Sequence, residues 1–361
     1  MIKKTLISIS CLILLLSGCV QTETIEDIQI IESIGYDSAE NKKYELTLAT
    51  VMFSTNEGGI IKSETISDAN FTGYGAAWNA QRETPKPTAA GKMMVALFGK
   101  DLAENGVDEI LDGLKRHTTI GRMVDFCVIE GEAKELLEGE YPLGQTVSRY
   151  LKDLLEHHKK GNLPSTNFHE FMYKYYSKGQ DSFMPLIQKQ EDKIKLTGLA
   201  LFKKDKHVDS IGADKLLIFK MLYEDISAGT YQASLENPAG YAAIEAVESS
   251  VEYKIKNGNT RPEIYISVNI KANINEVISS IKLENASDEK KLEALLEKDF
   301  MENGLQMIKH FQEEGIDPLG LGDRVRSKTR GWQSDKWQEL YPHASVNLNV
   351  KVDIVETGIS E

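Results

Sequence analysis

The residues in this 361-residue chain that could do chemistry are three cysteines, seven histidines and a late run of arginines. Cys19 ends an apolar run, Leu12-Ile-Leu-Leu-Leu-Ser-Gly-Cys19, and polar sequence follows at once. Cys127 sits in Met123-Val-Asp-Phe-Cys-Val-Ile129, a context that makes it a small buried hydrophobe. A reactive role there would need a His, Arg or Lys partner. CxxC and Cys/His zinc spacings are absent. His157 and His158 are adjacent on an expected helix, so they point about 100° apart and chelate poorly. With Lys159 and Lys160 they read as a solvated helix end, where cations oppose the negative end of the dipole. His169-Glu170 has no second histidine four residues on. No GxSxG elbow, P-loop, HExxH or EF-hand pattern occurs, and Gly73-Tyr-Gly75-Ala-Ala-Trp78 lacks the last glycine of a dinucleotide fingerprint. Carboxylates are too numerous for any pair to stand out. The expectation is a chain without catalytic residues, metal or cofactor.

One cluster breaks the acidic background. Arg324, Arg326, Lys328 and Arg330 lie together, flanked by Trp332 and Trp337. Two readings stand. The cluster contacts lipid headgroups or an acidic loop of a membrane partner, or it is a solvated helix face beside two aromatics buried against the final strand.

The first twenty residues have a positive head, Lys3 and Lys4, then a mostly apolar run from Leu6 to Leu16. Eleven residues rise only about 16 Å as a helix, and a bilayer core needs roughly 20 residues, so this is a secretory signal rather than a span. Leu16-Ser17-Gly18-Cys19 matches the bacterial lipobox, Leu-(Ser/Ala)-(Gly/Ala)-Cys, at all four positions. That resemblance implies diacylglycerol on the Cys19 sulfur and cleavage before it, so Cys19 becomes the N-terminus. Cys11 leaves with the signal, and Cys127 is then the one free thiol.

Two of the 42 basic residues and none of the 55 acidic ones lie in the signal, which leaves 40 against 55 and a net charge of about −15. Such a surface argues against nucleic acid and against broad adhesion to anionic lipid. Tethering falls to the lipid, since no later stretch approaches 18 apolar residues. The remaining 343 residues suffice for two or three domains with real cores.

The elements that must position these residues follow from period and punctuation. Strands are expected at Asp27–Tyr36, Tyr44–Phe53, Ile60–Ala69, Lys92–Phe98 and Val124–Glu130. Helices are expected at Phe71–Arg82, Val107–Arg116 and Ala133–Leu137. Two more helices, Val147–His158 and Phe168–Tyr176, precede strands Phe183–Gln190 and Ile194–Phe202. In the last third, Ile264, Ile266, Val268 and Ile270 alternate with mostly polar residues, as do Val346, Leu348, Val350, Val352 and Ile354. Period two makes both stretches half-buried strands, expected to be antiparallel. Between them a long helix is expected, with Ser287 as N-cap, an apolar stripe from Leu292 through Leu295, Leu296, Phe300, Met307 and Ile308 to Phe311, and Gly315 at its end. The fold class expected is α+β, multi-domain, with mixed and antiparallel sheets and the long helix on an antiparallel sheet. The expected division is signal 1–18, tether 19–26, N-terminal α/β domain 27–138, mainly helical middle 139–192 and C-terminal α+β domain 193–358.

Several stretches carry a family resemblance. Leu196-Thr-Gly-Leu-Ala-Leu-Phe-Lys-Lys-Asp205, Arg261-Pro-Glu-Ile264, Phe311-Gln-Glu-Glu-Gly-Ile-Asp317 and Leu319-Gly-Leu-Gly-Asp323 resemble segments of the Ger(x)C family, the lipoprotein C subunits of spore germinant receptors. Trp337, Tyr341–Gly358 and Ile34-Gly-Tyr-Asp37 extend the likeness over nearly the whole mature chain. One departure stands beside Cys19: Val20–Asp27 has no tryptophan and no arginine, where that family usually has a Trp-Asp motif. The resemblance implies a non-catalytic, lipid-anchored protein on the outer face of the cytoplasmic (inner spore) membrane. It also implies action with two polytopic membrane subunits in nutrient sensing. The competing reading is a solute-binding lipoprotein serving a transporter, which needs two similar α/β lobes with parallel sheets. The alternating strands of the last third argue against it.

Overall fold

The computed structural model describes residues 24–53, 61–142, 144–281, 283 and 285–357; the signal segment and Cys19 lie outside them. A 3-10 turn at Ile25–Asp27 leads into β1 (Gln29–Ser38), which pairs antiparallel with β2 (Tyr44–Phe53), and β2 with β3 (Ile61–Asn70). Thr72 then starts α1 (Gly73–Gln81) by accepting the Gly75 N–H at 2.9 Å. Next come β4 (Thr88–Ala89), β5 (Val95–Gly99), α2 (Lys100–Asn105), α3 (Asp108–Arg116) and β6 (Asp125–Ile129). The short α4 (Ala133–Leu137), then α5 (Val147–Lys160) and α6 (Phe168–Tyr176), precede β7 (Phe183–Gln190), β8 (Lys193–Lys203) and β9 (Lys206–Gly212). These strands form one mixed sheet in the order β3-β2-β1-β5-β6-β7-β8-β9, with β4 beside β1. Strands β1, β5, β6 and β7 run parallel.

The centre of this sheet is covered on both faces, which is why its strands read as near-continuous apolar runs. Val95, Leu97, Cys127 and Ile129 enter one core, and Ala96, Phe98, Phe126 and Val128 enter the other. Residues from α1, α2, α3 and α6 close the second core, and residues from α4 and α5 close the first. Each fully buried Leu or Phe in these layers contributes about 1.5–3 kcal/mol of transfer free energy.

Residues 192 and 193, where the sequence suggests a domain boundary, fall inside the β7–β8 hairpin. Gln190 pairs with Lys193, and Glu191 takes a left-handed φ of 47° to make the tight turn. The hydrophilic run Lys189–Lys193 is therefore a hairpin end, and the first sheet continues through all three expected segments.

Beyond β9, α7 (Leu216–Tyr223) leads to β10 (Gly229–Leu235), β11 (Gly240–Lys256) and β12 (Glu263–Ile278). The long α8 (Ala286–Glu314), then α9 (Leu321–Lys328), α10 (Ser334–Leu340) and β13 (Ser345–Thr357) complete the second sheet, ordered β10-β11-β12-β13. Its final pair differs from expectation: β13 runs parallel to β12, with Ile264 opposite Val346 and Ile270 opposite Val352. The 29-residue α8 carries the chain back about 43 Å, so the last strand re-enters in the direction of β12. The helix also starts earlier than expected. Asn285, not Ser287, is the cap, accepting the N–H groups of Ser287 and Asp288 at 2.9 and 3.2 Å. The stripe is buried as expected apart from Leu295, which is partly buried, and Gly315 ends the helix at φ 66°. The two sheets differ in strand number and pairing, so the described residues form no pair of similar lobes.

Candidate functional site

The chain entering from residue 24 is held to the body. Lys86 Nζ donates to the Glu26 carbonyl at 2.5 Å, and Gln29 N–H donates to the Pro87 carbonyl at 2.9 Å. Thr24 lies five residue steps beyond Cys19, a reach of at most about 18 Å. A lipid on Cys19 would therefore keep this end of the first sheet close to a bilayer.

The basic cluster does not act as one patch. Arg324 is turned inward: its guanidinium lies 3.8 Å from the Tyr253 ring centroid and donates to the Tyr223 carbonyl at 2.9 Å. Arg326 pairs with Asp323 at 3.2 Å. Lys328 and Arg330 are exposed, and the Arg330 carbonyl accepts from Asn259 in the β11–β12 turn. Trp337 is buried 5.4 Å from the Tyr341 ring, and Trp332 is half-buried. One arginine and one tryptophan thus serve the core, and Arg326, Lys328 and Arg330 are the members left on the surface.

Cys127 is wholly buried between α5 and the sheet, and burial pushes its thiol far above the ordinary range, so it is no nucleophile. His157 and His158 stand edge to face at 5.2 Å, and burial followed by the neighbouring His157 lowers the His158 pKa. Among the described residues no group of His, Cys, Asp or Glu is arranged to hold a metal.

Two buried charged residues carry the junction between the sheets, and neither stands out in the sequence. Asp317 accepts the N–H groups of Leu321 and Gly322 at 2.8 and 2.7 Å, capping α9. Its own N–H donates to Asp181, whose carboxylate also meets Lys203 at 3.1 Å. Burial outweighs the two backbone donors and raises the Asp317 carboxyl to about 7. The sequence signal for this cap is an Asp three residues ahead of Gly320 and four ahead of Leu321.

Lys174 is the second. Its side chain is 1% exposed, with Nζ 4.2 Å from the Phe183 ring centroid, 5.3 Å from that of Tyr223 and 3.9 Å from Glu170. The ammonium has no hydrogen-bond partner among the described residues, and burial lowers its pKa to about 8. Lys174→Met is expected to raise stability at pH 7 by about 1 kcal/mol or more, since a thioether needs no water. The unfolded chain holds this proton up to about 10.5, so stability from Lys174 grows between pH 8 and 10.5 and the variant lacks that rise. A lower denaturation midpoint in the variant would mean that the ring contacts outweigh desolvation.

Comparison with known proteins assigns this arrangement to a family. Residues 21–189 match the family model described as spore germination protein N-terminal domain, and residues 197–358 match spore germination B3/GerAC-like, C-terminal. The chain is 30% identical to spore germination protein GerQC of Bacillus cereus, over 96% of both chains. It is 21% identical to spore germination protein KC of Bacillus subtilis, over 99% of this chain and 97% of that one. The crystal structure of the GerBC protein shares the fold, with a TM-score of 0.59 and 17% identity over 93% of this chain and 100% of that one. The chain belongs to the Ger(x)C family of spore germination proteins.

Proposed function

We propose that this chain is the lipid-anchored C subunit of a nutrient germinant receptor, a non-catalytic component working beside two membrane-spanning subunits. The observation that carries the reading is the match to both family models in order, from residue 21 to residue 358. The lipobox Leu16–Cys19 supports the anchor, with diacylglycerol on the Cys19 sulfur and the body on the outer face of the inner spore membrane. Among the described residues no helix is long and apolar enough to cross a membrane, which leaves attachment to the lipid in this reading. A tethered body meets its partners at high effective concentration, so individually weak contacts suffice. The outer face of the second sheet offers such contacts: Asn269, Lys271, Asn347, Asn349 and Lys351 are exposed there, and Lys271 pairs with Glu248 at 2.7 Å. This polar face suits a protein ectodomain, and the chain's net charge of −13 argues against nucleic acid.

Cys19→Ala is the test. The variant is expected to leave the membrane fraction and to impair nutrient-triggered germination. Normal membrane retention would refute the anchor, and release with normal germination would refute the receptor role.

A further inference from the structure

A cavity of about 770 Å³ lies over the second core of the first sheet, between α1 and α3, with Thr88–Gly91 along one side. Ile31, Ile34 and Leu48 form an apolar floor. The charged groups at the rim are already neutralised. Glu109 takes Lys43 at 2.5 Å and the Tyr44 hydroxyl at 2.8 Å, and Asp112 pairs with Arg116 at 2.8 Å. His117 and Thr119 hydrogen-bond each other at 3.0 Å. The buried polar group left over is Tyr36, which lines the cavity, is 6% exposed, and has a hydroxyl without a partner among the described residues. Its ring is fixed by stacking on Phe98 at 5.8 Å, so the hydroxyl has a set position. On the α1 wall, Trp78 stays 61% exposed although it borders an apolar space.

We infer that this cavity binds an uncharged, mainly apolar small molecule carrying one hydrogen-bonding oxygen, which meets the Tyr36 hydroxyl. The size suits such a ligand, since pockets for compounds of this kind run from about 300 to 1,000 Å³ with few polar groups. A three-turn helix with its side chains needs more than about 1,200 Å³, which disfavours a docked peptide. A charged ligand would find no unpaired counter-charge at the rim and would lose its hydration on entry. The site is independent of the anchor at Cys19.

The test uses the full chain in lipid nanodiscs, titrated with borneol and camphor, a neutral alicyclic alcohol and ketone. Tryptophan emission is followed with empty nanodiscs subtracted. A saturable change is expected, lost in Trp78→Phe because that indole reports the site. Tyr36→Phe should weaken both ligands about tenfold, the size of one neutral hydrogen bond. Ala77→Trp, which fills the cavity from α1, should abolish binding while the far-ultraviolet circular dichroism is unchanged. Non-saturable partitioning of both compounds, or saturable binding that survives in Ala77→Trp, would overturn the assignment. So would saturable binding of an apolar helical peptide with no binding of either terpenoid.

Discussion

Gly198→Ala is expected to lower the unfolding free energy by about 3 kcal/mol or more, among the largest effects open to a single methyl group in this chain. Gly198 lies where three strands meet, paired with Leu186 on β7 and with Gly212 on β9. The β7–β8 register shifts beside it, between Leu186 and Ile187. A Cβ at this position would stand 1.8 Å from the Ile211 carbonyl oxygen and 3.2 Å from the Gly212 Cα. Those are backbone atoms of a paired strand, so no side-chain rotation relieves the clash, and β8 or β9 must move. This explains the glycine in Leu196-Thr-Gly-Leu-Ala200, one of the stretches that resembles the family. Gly113→Ala is the matched control. Gly113 lies inside α3 with nothing within 4 Å of an added Cβ, so alanine there should stabilise by about 0.5–1 kcal/mol. Urea midpoints of the two variants measure the contrast, and equal midpoints would show that β9 yields at no cost.

The second large effect concerns Asp317. Asp317→Ala is expected to cost about 2–3 kcal/mol, because it removes the α9 cap and leaves the Leu321 and Gly322 N–H groups buried without an acceptor. The pH dependence separates the charge from the shape. Burial, reinforced by the nearby Asp181 and opposed by the two N–H donors and Lys203, raises this carboxyl from 3.8 to about 7. Between those values the folded chain keeps a proton that the unfolded chain releases. The stability due to Asp317 is therefore full below pH 3.8 and is lost as pH rises through about 7. Asp317→Asn cannot titrate, so the advantage of the natural chain over this variant should shrink from pH 4.5 to pH 7.5. Other groups cancel in that difference. An advantage that stays constant would mean the two backbone donors hold the carboxylate ionised across the range.

The pattern of success between sequence and structure has a physical cause. Tyr44–Phe53, Ala133–Leu137, Phe168–Tyr176 and Phe183–Gln190 form as strand or helix at the residues that period and punctuation predict. Their signals are local: apolar spacing, an N-cap asparagine at Asn167 accepting from Glu170 N–H at 2.9 Å, a glycine or turn at the end. The cap of α8 lies two residues before the expected Ser287 because Asn285 and Ser287 are both good caps, and it is Asn285 that has the extended backbone, φ −156° and ψ 164°, of a cap. Arg324 illustrates a harder limit. Its neighbours in sequence are charged and suggest a solvated face, yet the Tyr253 ring that draws it inward lies 71 residues away.

The sequence by itself determined the match of Leu16–Cys19 to the lipobox pattern, the type of most elements between β1 and β8 together with the long helix and the strands β12 and β13, and the family resemblance that the two family models bear out. Each depends on residues within a few positions of one another, where backbone geometry and side-chain period act directly. Only the tertiary structure decided that β13 runs parallel to β12 and that one sheet crosses residues 192 and 193. It also decided that Asp317 and Lys174 are buried at the junction and that Tyr36 sets a hydroxyl without a partner among the described residues above an apolar floor. Those outcomes depend on which distant surfaces meet. Alternating apolar residues bury one face of a strand equally well beside a parallel or an antiparallel neighbour, so the pattern is silent on the choice that the long crossover helix makes.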